Sequence, residues 1–259
     1  MHWLLLRGLV RERRHWAGFT EHFERTLPGS TVHLLDLPGI GTEAHRPSPL
    51  HIDAIVDDLR RRWLELPLVG SPTGIFSVSL GAMIAIRWCR RFPQDWDRAV
   101  LTNTSAADLG HPFERFNWRT LRHFPTLAQT ANPELRERTL LRIVSANTAE
   151  HSERAQHFAV FAPDKALFRN TGLRQILAGS RVRVGKGPLP QPTLVLASSG
   201  DRLVDPVCSL RLARRISAPM RVHPWGGHDL VLDAPEWITE QMRHWLEELA
   251  QPVDSGVPL

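Results

Sequence analysis

Three residues far apart in the chain have the types and the order needed to break an acyl bond. Ser79 lies in TGIFSVSLGAMIAIRW, where an apolar run with strand character passes through Ser77–Gly81 into a segment of helical period. A serine hydroxyl is a poor nucleophile until a histidine takes its proton and a carboxylate holds that histidine in the right tautomer. Small residues two places before and two after such a serine let the helix pack close to the strand, and Ser77 and Gly81 hold those places. The motif alone leaves two readings open: a nucleophile on a sharp strand-to-helix turn, or a small-residue turn whose serine caps a helix.

The partners follow in the order nucleophile, acid, histidine. In LVLASSGDRLVDP, Asp201 comes directly after an apolar run, and in HPWGGHDLVLDAP, His228 sits in a loop after the next one. Asp205 is the rival acid, but its place before PVCSLRLARRI suits a helix cap, which favours Asp201. Two glycines before His228 give its loop the freedom to carry the ring back toward Ser79. Acyl transfer also needs amide donors for the developing oxyanion. Position selects the N–H of Leu80 at the helix start and the N–H of Leu9, which follows Gly8 after the first apolar run.

The elements that must hold these residues are read from apolar periodicity. Trp3 to Leu6, TVHLLDL, GIFSV, RAVLT, PTLVLAS and MRVH read as short strands, and most are followed by amphipathic stretches such as HIDAIVDDLRRRWLEL. That alternation predicts an α/β protein with a mostly parallel, doubly wound sheet covered on both faces. From 108 to 184 the alternation stops and helical periodicity broken by prolines takes over. The expectation is a core formed by 1–107 and 185–250, a helical cap inserted at 108–184, and a loose tail at 251–259.

With those pieces placed, the chain resembles the α/β-hydrolases, through LLLRGL for the oxyanion strand and loop, LLDLPGIG for the next strand and turn, SVSLGAMIA for the serine turn, SSGDRLVDP for the acid and GGHDLVLDAP for the histidine. Within them it is similar to the compact carboxylesterases, including the pimeloyl-acyl-carrier-protein methyl ester esterases. The resemblance implies an α/β-hydrolase fold lacking the first strands of the family's sheet, a Ser79–Asp201–His228 triad, and an oxyanion hole from the amides of Leu9 and Leu80. It implies hydrolysis of a carboxylic ester through an acyl-enzyme, with no cofactor; no pair of histidines has the helical i, i+4 spacing with a nearby carboxylate of a zinc protease, so no metal is expected. Two departures stand at the site: Arg7 replaces the histidine many relatives carry before Gly8, and Ser77 replaces the usual glycine. A thioesterase or an esterase of carrier-protein-bound acyl chains shares the chemistry, and a non-catalytic small-ligand-binding protein shares the fold.

Composition narrows the classes further. The net charge of +5 comes from arginine spread along the whole chain, with only Lys165 and Lys186 as lysines, so it does not read as a nucleic-acid surface. No apolar run is long enough to span a membrane, and the N-terminus lacks the pattern of a secretory signal, so a cytoplasmic location is expected. Cys89 and Cys208 read as buried free thiols. Asp36 reads as a turn anchor and His223 as a surface strand residue; the cluster Arg11, Arg13 and Arg14 after the first strand either forms a surface network through Arg11 and Glu12, the favoured reading, or faces the pocket mouth, where it would attract an acidic substrate or a carrier protein. Phe113, Phe116, Trp118, Phe124, Phe158, Phe161 and Phe168 fit an apolar acyl pocket or simple packing of cap helices equally well. The expected partner is a small ester with an apolar acyl group; a basic face round the cap would suit an acyl carrier protein.

Overall fold

The computed structural model of the chain describes residues 1–68 and 70–251; the expected loose tail lies, beyond Gln251, outside the described residues. In chain order the elements are β1 (His2–Leu6), α1 (Phe19–Thr26), β2 (Thr31–Leu34), α2 (Ile52–Leu64), β3 (Thr73–Val78), α3 (Leu80–Arg91) and β4 (Arg98–Thr102). Five helices follow: α4 (Pro112–Arg115), α5 (Phe124–Gln129), α6 (Pro133–Val144), α7 (His151–Ala159) and α8 (Lys165–Ser180). The chain then returns to β5 (Thr193–Ser198), α9 (Pro206–Ile216), β6 (Met220–His223), α10 (Leu230–Asp233) and α11 (Pro235–Ala250).

The six strands form one sheet in the order β2-β1-β3-β4-β5-β6, and every pairing is parallel. Successive side chains on a strand point to opposite faces, so a sheet covered on both sides must be apolar at nearly every position. Leu4, Leu6, Ile75, Leu101 and Val195 face a cluster that includes Ile55, Leu59, Ile84 and Leu212 from α2, α3 and α9. Trp3, Leu5, Phe76, Val100 and Leu196 face the other way, onto Phe19, Phe23, Ile238 and Met242 of α1 and α11. These two apolar layers fix the sheet between its helices, and with it the ends of its strands.

The strand order reverses between β1 and β3: from β1 the chain moves outward to β2, and from β3 it moves the opposite way to β4. In open parallel sheets the crevice beyond the carboxyl ends at such a reversal is where ligands bind. Gly8 follows β1 and Ser79 follows β3, so both stand at that crevice. The α4–α8 segment lies between β4 and β5, and no strand occurs in it. Among the described residues no helix is long and apolar enough to cross a membrane.

Candidate active site

Ser79 occupies a backbone conformation that L-residues rarely adopt, with φ 56° and ψ −116°. Such strain persists only where the surroundings over-determine it. The Ser79 N–H donates to the Thr102 carbonyl at 2.9 Å, and the Thr104 hydroxyl donates to the Ser79 carbonyl at 2.8 Å. Gly81 explains why a small residue follows: a Cβ there would stand 2.5 Å from the Leu6 carbonyl oxygen and 2.7 Å from that of Arg7. Helix α3 therefore leans directly on the end of β1. Ser77 is buried, and its hydroxyl donates to the Val100 carbonyl at 3.0 Å, a packing position with its polar group satisfied.

From this turn the Ser79 hydroxyl meets His228 Nε2 at 2.8 Å. On the far side of the ring, Nδ1 lies 2.7 Å from Asp201 Oδ2. An ionised carboxylate only accepts, so Nδ1 carries the proton and Nε2 is left to accept from the serine. Asp201 Oδ1 accepts the N–H groups of Leu203 at 2.8 Å and Val204 at 2.9 Å, which fixes the carboxylate plane. Asp205 takes the other part foreseen for it, capping α9 by accepting the Val207 N–H at 2.9 Å. Burial disfavours the charged form of His228, yet the charge of Asp201, its hydrogen bond and the charge of Asp229 outweigh this, so the imidazole pKa lies above its ordinary 6.5.

The histidine loop is held by groups with no local sequence signature. Asn103, with φ 45°, directs its side-chain amide to the carbonyls of Gly227 at 3.2 Å and His228 at 2.9 Å. Asp233 accepts the Gly227 N–H at 2.6 Å. Asp229 forms a buried bidentate pair with Arg7, at 3.0 and 2.5 Å. An asparagine tolerates the left-handed region better than most residues, and this is the one signal that could have singled out Asn103.

The loop after β1 is tied from the helical side. The Val10 N–H donates to Gln175 Oε1 of α8 at 2.8 Å, and Val10 itself takes a positive φ of 48°. Gly8 packs so close that a Cβ there would lie 3.1 Å from the Ser79 Cβ. Among the described residues the amides of Leu9 and Leu80 donate to no protein acceptor, so both are available to a ligand oxygen. Arg11 departs from the surface-network reading: it is buried, lines the cavity and pairs at 2.5 Å with Glu137 of α6, because α6 lies over this loop, while Glu12 pairs with Arg14. His223 is likewise buried, its Nδ1 accepting the Gly226 N–H at 2.9 Å. Asp36 anchors its turn by accepting from the N–H groups of Arg13 and Thr42 at 2.6 and 2.8 Å.

A cavity of about 160 Å³ opens on Ser79 and His228. Its wall is largely apolar, with Phe116, Phe124 and Phe168 joined by Leu127, Leu140 and Ile143. The other aromatics of this segment divide: Phe158 and Phe161 pack against His15 of the core, while Phe113 and Trp118 are exposed. The site thus combines a paired serine and histidine, two free amides and an apolar chamber. That arrangement can move a proton from a hydroxyl to an imidazole and receive a negative oxygen. Cys89 and Cys208 are buried free thiols whose pKa values burial pushes up to about 12 and about 11, so neither competes as a nucleophile.

Comparison with known proteins places the chain. It is 26% identical over 253 aligned positions to a pimeloyl-[acyl-carrier protein] methyl ester esterase of Xylella fastidiosa (strain M12), covering 91% of this chain and 92% of the relative. A shorter match, 50% identical over 56 residues, is to a Caulobacter sp. (strain K31) protein that carries the name carbamate hydrolase RutD; it spans only 21% of this chain and 21% of that relative. A thermophilic esterase from Thermogutta terrifontis shares the fold with a TM-score of 0.75 at 21% identity, over 97% of this chain and 91% of the other. The family model Hydrolase_4, described as serine aminopeptidase, S33, matches residues 4–235. The chain belongs to this family and is a hydrolase of the α/β-hydrolase superfamily.

Proposed function

We propose that the protein is a serine esterase that cleaves a carboxylic ester through an acyl-enzyme, with Ser79 as nucleophile, His228 as general base and acid, and Asp201 orienting His228. The observation that carries this reading is the unbroken chain of hydrogen bonds from Ser79 Oγ through both ring nitrogens to Asp201, set on a strained strand-to-helix turn. As the Ser79 oxygen bonds to the carbonyl carbon, its proton passes to His228 Nε2. The carbonyl oxygen takes the negative charge and accepts from the amides of Leu9 and Leu80. His228 then returns the proton to the leaving alcohol oxygen as the C–O bond breaks. Water repeats the sequence on the acyl-serine: its proton goes to His228, the acid leaves, and Ser79 is restored.

An ester fits the chamber better than the free amino terminus an aminopeptidase would bind. Among the described residues Asp229 is the one carboxylate lining the cavity, and Arg7 already neutralises it, so it offers an ammonium group no free counter-charge. The apolar wall contributed by Phe116, Phe124, Phe168 and Ile143 suits an apolar acyl group, and residues 108–184 serve in this reading as the cap that selects it. A second reading, an ester or thioester of a carrier-protein-bound acyl chain, draws on the similarity to the Xylella fastidiosa esterase along nine-tenths of the chain. The test is hydrolysis of p-nitrophenyl esters of graded acyl length, acyl-thioesters and aminoacyl p-nitroanilides by the wild type and Ser79→Ala. Ester turnover that vanishes in the variant is the expected result. A preference for thioesters selects the second reading. Turnover that survives in the variant, or cleavage of anilides alone, overturns the assignment, and so does a folded wild type that turns over none of them.

A further inference from the structure

Besides Arg11, which pairs with Glu137, two buried charges in the cavity wall take no part in this proton relay. Arg7 is 4% exposed and Asp229 5%. The two terminal guanidinium nitrogens of Arg7 donate to the two carboxylate oxygens at 3.0 and 2.5 Å, and the guanidinium lies over the Trp16 ring, 4.8 Å from its centroid. One partner immediately precedes Gly8 and Leu9; the other immediately follows His228. The Asp229 amide also donates to the Val144 carbonyl at 2.7 Å, so the histidine loop is held by α6 on one side and by Arg7 on the other.

Little slack exists at either end of this link. Because Gly8 packs on the Ser79 Cβ, a displaced Arg7 segment moves the Leu9 amide relative to the attacking oxygen. A displaced Asp229 moves His228 Nε2. We propose that the Arg7–Asp229 ion pair is a positioning clamp for acyl transfer: it holds the oxyanion loop in register with the histidine loop and cancels, at the imidazole, the charge of the carboxylate beside it. This rests on the serine esterase reading above, and neither residue touches the reacting atoms.

The charges that face His228 are Asp201 from the loop after β5, Asp229 from its own loop and Arg7 from the loop after β1; Ser79 is neutral. Their signs give the clamp a signature that a merely structural pair lacks. Without Arg7, two carboxylates favour the imidazolium, and the acid limb of kcat/KM moves to higher pH. Without Asp229, the remaining cation disfavours it, and the limb moves to lower pH.

The experiment is a set of pH profiles, with kcat and KM, on a p-nitrophenyl ester for the wild type, Arg7→Gln, Asp229→Asn, the double variant and Arg7→Lys. The single neutral variants are expected to shift the midpoint in opposite directions by about half a pH unit or more each, the scale of one added or removed neighbouring charge. The double variant, which buries no unpaired charge, is expected to regain the wild-type midpoint with kcat about tenfold or more lower and KM unchanged, as loss of positioning requires. Arg7→Lys keeps the charge but loses the fork, and is expected to keep the midpoint and lose kcat. Midpoints that do not move, or that move together, overturn the clamp; so does a double variant with wild-type kcat, which decides the matter even if a single variant fails to fold. Turnover that does not depend on Ser79 would instead overturn the esterase reading.

Discussion

At the carboxyl edge of the sheet, Ser79, Asp201 and His228 hang from the ends of strands whose two faces are apolar almost without interruption, and each polar group of the relay has its partner at 2.9 Å or less. The segment from Pro112 to Ser180 is built differently. It contains no strand, and its last helix carries apolar groups on both sides, Phe168 and Ala178 buried but Leu173 and Leu177 exposed. It buries charge as well: Arg136 is fully covered, lying over the Phe168 ring and donating to the Pro163 carbonyl. Apolar layering at the sheet leaves one register for the chemistry. Packing in the helical segment is less specific, and it supplies walls rather than reacting groups. The division teaches that changes at the strand ends should act on the reaction itself, and changes in the helices on what is accepted.

The largest expected effect lies at the strand ends. Asp201→Asn keeps the geometry but offers His228 Nδ1 a donor or a weaker acceptor, and kcat should fall by roughly 10³–10⁴-fold with KM little changed. The wild-type profile sharpens the point: His228 must be neutral to act as base, so activity should be lost as pH falls through a midpoint above 6.5, the direction in which Asp201 moves it. A midpoint below 6.5 would show that burial prevails. Next comes Gly81→Ala, whose Cβ would meet the Leu6 and Arg7 carbonyls and push α3 off β1. Thermal unfolding should reveal a loss of about 3 kcal/mol, with activity reduced even on the shortest ester.

In the helical segment the effects should be smaller and selective. Ile143→Phe narrows the cavity, and kcat/KM on the longest acyl esters should drop about tenfold while acetate esters are unaffected. A uniform drop along the series would place Ile143 with the reaction rather than with the walls. At the seam between the two regions, His15 is fully buried between Phe158 and Phe161. Burial, with Arg11 and Arg7 adding to it, holds its pKa well below 6.5. A depressed histidine stabilises the fold fully above its unfolded pKa and loses that contribution as pH falls below about 6.5. His15→Asn can still accept the Glu12 N–H, so its melting temperature should fall less steeply than that of the wild type on acidification.

What the sequence shows of this molecule follows the same division. The strands and the serine turn were legible because alternating faces demand apolar runs and because Ser77 and Gly81 are small where helix and strand touch. Asp201 was separable from Asp205 by its place directly after a strand. The Arg7–Asp229 pair was not legible, since a contact across 222 positions leaves no local pattern. Asn103 was missed because its work is done by a backbone angle and an amide, not by a motif. Arg11 beside Glu12 looked like a surface pair, but α6 covers it with Glu137, a tertiary contact that neighbouring residues do not announce. In the helical segment the seven aromatics divided among cavity, core seam and surface, and periodicity alone could not sort them.

The central claim is that Ser79 is the activated nucleophile of this site. Reaction with a fluorophosphonate, followed by peptide mass analysis, tests it directly on the intact protein. The expected result is one adduct per chain on the peptide carrying Ser79, with none in Ser79→Ala. An adduct on any other residue, or a folded wild type that takes no label, would contradict it.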